Sequence, residues 1–327
     1  MDQPLRIGTR GSGLAVAQTG QVASRLRALG SDVVIETIST RGDAQRDLPL
    51  TAIGGDGVFV RELERALLEG RIDVAVHSLK DLPTAAVDGL EIACVPERVT
   101  PFDAFVTPRG VAVESLASLP ARAVVGTSSI RRVVQVQAIR SDLDVRPIRG
   151  NVDTRLGKLD AGEYHCLVLA AAGLERLGLG GRIGGLLQPP DFWPAVGQGA
   201  LALQIRAGDE AARQALAPLD HAASHAAVIA ERACLGRLSA GCLAPVGGWG
   251  RVGPGGDLVL SARVLSDDDG GVLHVTVEER LAGVSVSSPA AAGAAVEQII
   301  GLGHRVADQL LAAGAGPMLD RMRQRLV

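Results

Sequence analysis

The feature that most constrains this chain is a rhythm of short apolar runs alternating with helical-period segments, which builds βαβ units around a mainly parallel sheet. Residues 5–8 predict a buried strand and residues 14–29 an amphipathic helix closed by Gly30. Residues 32–38 read as the next strand, 58–69 as a helix stopped at Gly70, and 72–77 and 90–95 as two short strands. After Pro101 the rhythm restarts, with strands at 123–126, 145–148 and 166–170 and helices at 129–139 and 152–160. The proline-rich stretch 188–194 interrupts it, and a late strand follows at 200–205. The expected fold is therefore α/β, in two similar lobes, with a chain that crosses into the second and returns. Ligands of such folds sit between the lobes, outside the carboxyl ends of the strands. Beyond His221 the pattern changes to a helix reaching residue 238, strands at 258–265 and 272–278, and an Ala-rich helix over 289–313. That is a small α+β domain, with Cys242 in its first loop.

With 327 residues, the chain exceeds one ordinary core. Only 2% of it is aromatic, so the cores must be aliphatic. A formal net charge of −3 and the lack of aromatic platforms exclude a general nucleic-acid binder. No apolar run approaches the roughly 18 residues of a membrane span, and residues 1–7 lack the basic-then-apolar pattern of a signal peptide. The cysteines (Cys94, Cys166, Cys234, Cys242) are widely spaced with no C-x-x-C pair, and the histidines show no ligand spacing. No metal site is expected, and the natural setting is a reduced cytoplasm.

Four polar clusters fall where strands end. They are Gly8–Ser12, His77–Pro83, Gly126–Arg132 and Arg149–Arg155, with Arg176 after the next strand. Helix N-termini present free N–H groups to anions, hydroxyls add donors, and arginine offers a planar fork matched to carboxylate. Any one cluster is better read as a capped helix with solvated arginines, and an Arg-rich composition with only Lys80 and Lys158 as lysines fits codon bias too. Four at one topological edge point instead to a cleft for a poly-carboxylated ligand. Asp81 is the acid among these cations, and it reads either as an ion-pair partner of Lys80 or as a proton-handling group. Cys242 is a thiol in a small-residue loop; lone cysteines are most often buried hydrophobes, and this loop is also suited to present one to a cleft. Cys94, Cys166 and Cys234 read as core, and His77 as structural. The run Gly54–Gly57 matches no phosphate-binding fingerprint and reads as a mobile loop over the cleft.

Taken together, HSLKDLPT (His77–Thr84), GTSSIRR (Gly126–Arg132), RGNVDTRLGKLDAGEY (Arg149–Tyr164), LAAAGLERLG (Leu169–Gly178), PAVGQGAL (Pro194–Leu201) and ERACLGRLSAGC (Glu231–Cys242) closely resemble the porphobilinogen deaminase family. The resemblance runs from Leu5 to about Ala315. It implies a transferase that joins four porphobilinogen units head to tail, releasing ammonia, to give hydroxymethylbilane in tetrapyrrole biosynthesis. It also implies a dipyrromethane cofactor in thioether linkage to Cys242, with Lys80, Ser129, Arg131 and Arg132 as further cofactor-binding residues. Asp81 takes the family's catalytic position, assisting departure of ammonia and stabilising the azafulvene-type cation at the pyrrole nitrogen. Arg10, Ser12, Phe59, Thr127, Arg149, Arg155 and Arg176 fall on substrate-binding positions.

The fold implied is two lobes like type II periplasmic binding proteins plus a small C-terminal α+β domain. Its divisions are residues 1–98 with 199–216, 102–193 and 219–314. A cytoplasmic monomer is implied, with porphobilinogen as its partner and neither nucleic acid nor membrane. Departures from the family pattern are Gly13, Asp56, Cys234 and Gln204, the last replacing a usual Glu; none touches Asp81 or Cys242. The competing reading is a non-catalytic, two-lobed solute-binding or ligand-sensing protein, which leaves the third domain and Cys242 without a purpose.

Overall fold

The computed structural model describes residues 3–39, 60–113, 115–240, 244–268, 271–282 and 293–326. The first lobe begins with β1 (Leu5–Arg10), α1 (Gly13–Ala28) and β2 (Val33–Ile38). Ser12 starts α1 because its hydroxyl accepts from the Ala15 amide at 3.4 Å, satisfying a donor that every helix start leaves unpaired. Next come α2 (Arg61–Leu68), β3 (Val74–Ser78), a 3₁₀ turn at Leu79–Asp81 and β4 (Leu90–Cys94). The chain then crosses over. The second lobe holds β5 (Asp103–Val106), β6 (Val124–Gly126), α3 (Ile130–Ile139), β7 (Asp144–Arg146), α4 (Val152–Asp160), β8 (Cys166–Ala170), α5 (Ala171–Arg176) and β9 (Gly185–Leu187). The return is β10 (Leu201–Arg206), followed by α6 (Glu210–Leu216).

Two five-stranded sheets result, ordered β2-β1-β3-β10-β4 and β7-β6-β8-β5-β9. The first three strands of each are parallel. The fourth is reversed: β10 runs antiparallel to β3 and β4, and β5 antiparallel to β8 and β9. Both reversed strands have just arrived from the opposite lobe. The sheets are mainly parallel, as expected, with one reversed strand per lobe that the sequence did not reveal. A strand entering by a crossover has no helix of its own lobe before it, so the βαβ rhythm carries no sign of its direction. The rhythm also misses β5 and β9, which are only four and three residues long. Aliphatic cores fill the lobes as the composition demands, with Ile7, Leu26, Val74 and Leu203 in the first and Val125, Val136 and Val168 in the second.

The third unit contains α7 (Ala222–Arg237), β11 (Val246–Val252), β12 (Leu258–Asp268), β13 (Gly271–Leu281), α8 (Gly293–Leu310) and α9 (Gly316–Leu326). Its sheet is antiparallel, ordered β11-β12-β13. β11 was unexpected because its glycines read as loop. They serve close packing instead: a Cβ on Gly250 would stand 2.7 Å from the Ala227 carbonyl of α7. Among the described residues, no helix is long and apolar enough to cross a membrane.

The two crossovers meet at Gly199, where φ is +86° and a Cβ would stand 2.7 Å from the Val99 carbonyl. Only glycine fits there. One fully buried carboxylate, Glu231 of α7, ties the junction together. It accepts from Arg98 Nη1 (2.5 Å), the Gly197 amide (2.6 Å) and the Gly250 amide (2.7 Å), and so joins both crossovers to the third unit. Removing it strands a buried guanidinium and two amides. Glu231→Ala is therefore expected to lose about 3–5 kcal/mol in urea denaturation; a loss below about 1 kcal/mol would show that the junction is held by something else.

Candidate active site

The sequence clusters occupy neighbouring strand ends. Arg10 closes β1, Lys80 and Asp81 lie in the turn after β3, Thr127–Ser129 join β6 to α3, and Arg149 precedes α4, whose first turn carries Arg155. Between the lobes they enclose a cavity of about 310 Å³. Its lining includes Arg10, Ser12, Lys80 and Asp81 from the first lobe, and Arg132, Arg149, Asp153 and Arg155 from the second. Five cations thus face two carboxylates.

The cations strain against one another. Burial lowers the Lys80 pKa to about 8, with Asp81 opposing the shift and Arg132 adding to it. Burial lowers Arg155 to about 10, and the charges of Arg132 and Arg149 push the same way. An anion entering the cavity relieves both effects.

Lys80 donates to Gln198 Oε1 at 3.3 Å, and the charge of Asp81 acts on it as well. Arg155 Nε donates to the Gly150 carbonyl at 2.8 Å, which fixes the stem of its guanidinium. Not every candidate lines the cavity: Thr127, Ser129, Arg131 and Arg176 stand outside it. The Thr127 hydroxyl accepts from the Ser129 amide at 3.3 Å, and Ser129 leads α3 without a side-chain cap bond. Arg176 Nη2 donates to the Gly199 carbonyl at 2.8 Å, so it holds the crossover, while its buried Nε has no hydrogen-bond partner among the described residues.

Arg131 and Arg132 bring a counter-charge with them. Neither is a freely offered charge, because both are buried against Asp103, at 2.8 Å and 2.7 Å. Burial alone would raise the Asp103 carboxyl; the two arginines override it and hold it well below the usual carboxylate range. The three groups together present one net positive charge, and Arg132 carries it to the cavity wall.

Asp103 and Gln198 are the residues that sequence reasoning missed. Gln198 is fully buried, donates to Asp103 Oδ1 (2.9 Å) and to the Pro101 carbonyl (2.8 Å), and accepts from Lys80. It links the cations of one lobe to those of the other. Its signal was present in PAVGQGAL, where a lone amide stands between two glycines. Phe59, Cys242 and the run Gly54–Gly57 lie outside the described residues. α7, which runs toward the Cys242 loop, is tied to the Asp81 segment, since Arg232 donates to the Leu82 and Pro83 carbonyls at 2.9 and 2.6 Å. Cys94, Cys166 and Cys234 are buried, and burial pushes the Cys166 and Cys234 thiols up to about 12. None of the three offers a ready thiolate.

A larger cavity of about 400 Å³ lies between β4 and helices α7 and α8. Its arginines are occupied, Arg232 as above and Arg237 on Asp308 at 2.9 Å, so volume does not identify the site. The converging cations do.

A sequence model described as porphobilinogen deaminase, dipyromethane cofactor binding domain, matches residues 5–214, and one for the porphobilinogen deaminase C-terminal domain matches residues 225–312. The chain belongs to the porphobilinogen deaminase family. A porphobilinogen deaminase of Bordetella parapertussis is 46% identical over 320 residues, covering 97% of this chain and 96% of that one. Another from Roseiflexus sp. is 44% identical over 321 residues, covering 98% and 99%. A third, from Syntrophobacter fumaroxidans, is 41% identical over 323 residues, covering 98% of each. Among solved structures, a nutrient binding protein from Burkholderia cenocepacia bound to methionine aligns with a TM-score of 0.41 at 13% identity, over 65% of this chain and 90% of that one. The Bordetella pertussis BvgS periplasmic VFT2 domain aligns with a TM-score of 0.38 at 17% identity, over 64% and 85%. Such weak likeness adds nothing to the topology. The strand orders and the double crossover themselves give the fold class: two type II periplasmic-binding-protein-like lobes with a small C-terminal domain.

The low Lys80 pKa sets a pH dependence. As pH rises through about 8 the ammonium is lost, and with it one of the cavity's charges. Binding of a dicarboxylate such as succinate, followed by calorimetry, is expected to weaken about tenfold by one unit above that midpoint. The dependence should vanish in Lys80→Met. A flat profile in the unaltered protein would show that Lys80 does not face the ligand.

Proposed function

We propose that this cavity binds porphobilinogen and the growing oligopyrrole, and that the protein joins four substrate units head to tail to release hydroxymethylbilane (pre-uroporphyrinogen). The observation that carries this reading is the set of five cations that converge on one cavity with only Asp81 and Asp153 as carboxylates, two of them, Lys80 and Arg155, losing proton affinity through burial and the neighbouring charges. Each pyrrole brings an acetate and a propionate, and so supplies the counter-charges the wall lacks. In each addition the aminomethyl C–N bond of one unit breaks with loss of ammonia. A C–C bond forms to the free α-carbon of its neighbour, which then gives up its proton. Asp81 accepts a hydrogen bond from the pyrrole N–H and stabilises the cation as ammonia departs. Arg10, Ser12, Arg149 and Arg155 hold the carboxylates and keep the reacting carbons in register. Thr127 and Arg176 support the same wall from behind, and Phe59 stacks near the chain.

The charges also fit a dipyrromethane cofactor, since the positive charge of Arg132 and the Lys80 ammonium both border the cavity. Lys80, Ser129, Arg131 and Arg132 would hold its carboxylates, Arg131 sharing its charge with Asp103, while Cys242 provides the thioether. When bound, it supplies the pyrrole on which the chain is primed. We divide the protein into residues 1–98 with 199–216, 102–193 and 219–314, and assign it to the cytoplasm as a monomer.

Intact-protein mass spectrometry of the purified enzyme is expected to show an excess equal to two pyrrole units, lost in Cys242→Ser. An active protein of unmodified mass would overturn the cofactor assignment. Asp81→Asn should cut porphobilinogen consumption by about a hundredfold or more with the fold intact by circular dichroism; near-normal consumption would remove Asp81 from the chemistry. Arg149→Ala and Arg155→Ala should trap partly grown chains, visible as discrete mass steps. Unchanged turnover without such species would mean that these arginines are merely solvated.

A further inference from the structure

His77 stands near the end of β3, one residue before the turn-capping Ser78 that leads to Lys80 and Asp81, yet the chemistry above does not use it. It is 4% exposed, and its Nε2 lies 3.0 Å from Gln204 Oε1 on the neighbouring strand β10. The register pairs Ala202 with His77 and Gln204 with Ala75, so the two polar side chains stand diagonally on one face of the sheet. Helix α2 packs on that face. Gln204 Nε2 donates to Glu64 Oε1 at 3.4 Å, and Gln204 and Glu64 are buried as well.

The direction of this chain follows from what each group is able to donate. A carboxylate only accepts, so Glu64 takes the amide N–H and turns the Gln204 oxygen toward His77. That oxygen also only accepts. His77 must donate from Nε2, which leaves Nδ1 of the neutral ring bare. Among the described residues, the charged groups near the ring are Arg10 from the end of β1 and Asp81 from the turn after β3, with Glu64 of α2 reached through Gln204. His77, Arg10, Gln18, Ser78 and Asp81 share the lining of a chamber of about 20 Å³. Burial, opposed by the Gln204 hydrogen bond and reinforced by Arg10, brings the His77 pKa down to about 4.

We propose that Glu64 and Gln204 select the Nε2-protonated tautomer of His77, whose ring is kept neutral by its burial beside Arg10, so that the chamber shared by Arg10 and Asp81 holds no further titrating charge. His77 is then a positioning residue. An imidazolium in its place would repel Arg10 and compete for Asp81, tying the charge balance of the cavity to pH. The effect on turnover rests on the assignment of Asp81 made above; the tautomer does not.

The test is a two-bond ¹H–¹⁵N correlation spectrum of the full-length labelled protein between pH 5 and 9, with His77 assigned by the loss of its signals in His77→Gln. The expected result is the Nε2–H tautomer throughout. An imidazolium at about pH 6, or the Nδ1–H tautomer, would overturn the proposal. In Gln204→Glu a carboxylate faces the ring, so the titration midpoint should rise above about 6.5. The pH–rate profile of ammonia release should gain an inflection at that midpoint. Gln204→Leu should mix the tautomers and add no inflection. Unchanged His77 titration in Gln204→Glu sinks the relay, and a raised midpoint without a new inflection sinks its link to the cavity. If Gln204→Glu does not fold, the tautomer in the unaltered protein still decides. An inactive enzyme with the expected tautomer would count against the catalytic reading alone.

Discussion

The cationic cleft depends on one buried counter-charge, the Asp103 carboxylate. Arg131 and Arg132 enclose it, Gln198 donates to it, and through Gln198 it is connected to Lys80. Without it, two buried guanidiniums would face four further cations with only Asp81 and Asp153 to offset them, and the wall would spread apart or draw in water. With it, the wall keeps a net positive charge small enough to fold and large enough to need an anion. Positive charge at the site is thus a tuned quantity rather than a count of arginines.

A second buried carboxylate does for the scaffold what Asp103 does for the site. Glu231 gathers Arg98, Gly197 and Gly250 at the point where both crossovers pass the third unit. The two acids lie on either side of the same short segment, since Gly197 answers to Glu231 and Gln198 to Asp103. A change in the angle between the lobes would act on those two residues as well as on the first crossover, so the geometry of the site and that of the junction are not independent.

Much of this was legible in the amino-acid sequence, and the gaps have physical causes. Helix α4 and strand β8 were predicted over the ranges observed because a clean periodic pattern bounded by Gly and polar residues leaves little choice. Strand β11 was missed because its glycines, weak strand formers in isolation, are required by a helix backbone that only the fold brings near. The cluster of Arg10, Lys80, Asp81, Arg149 and Arg155 was visible as polar residues at strand ends. The pairing of Arg131 and Arg132 with Asp103 was not, because Asp103 belongs to a strand that the rhythm conceals. Partners distant in sequence leave no local trace, and this is why Gln198 and Glu231 also escaped notice.

The place of β10 in the first sheet has a consequence for how the polypeptide is made. Among the described residues, strand β4 has β10 as its one partner in the sheet, whereas the strands of the second sheet all lie within residues 103–187. During synthesis the second lobe therefore emerges whole and is free to close, while the first waits with an open strand edge until residue 206 has left the ribosome. The lobe that is made first is completed last, and nascent chains halted before β10 would expose an edge that invites association.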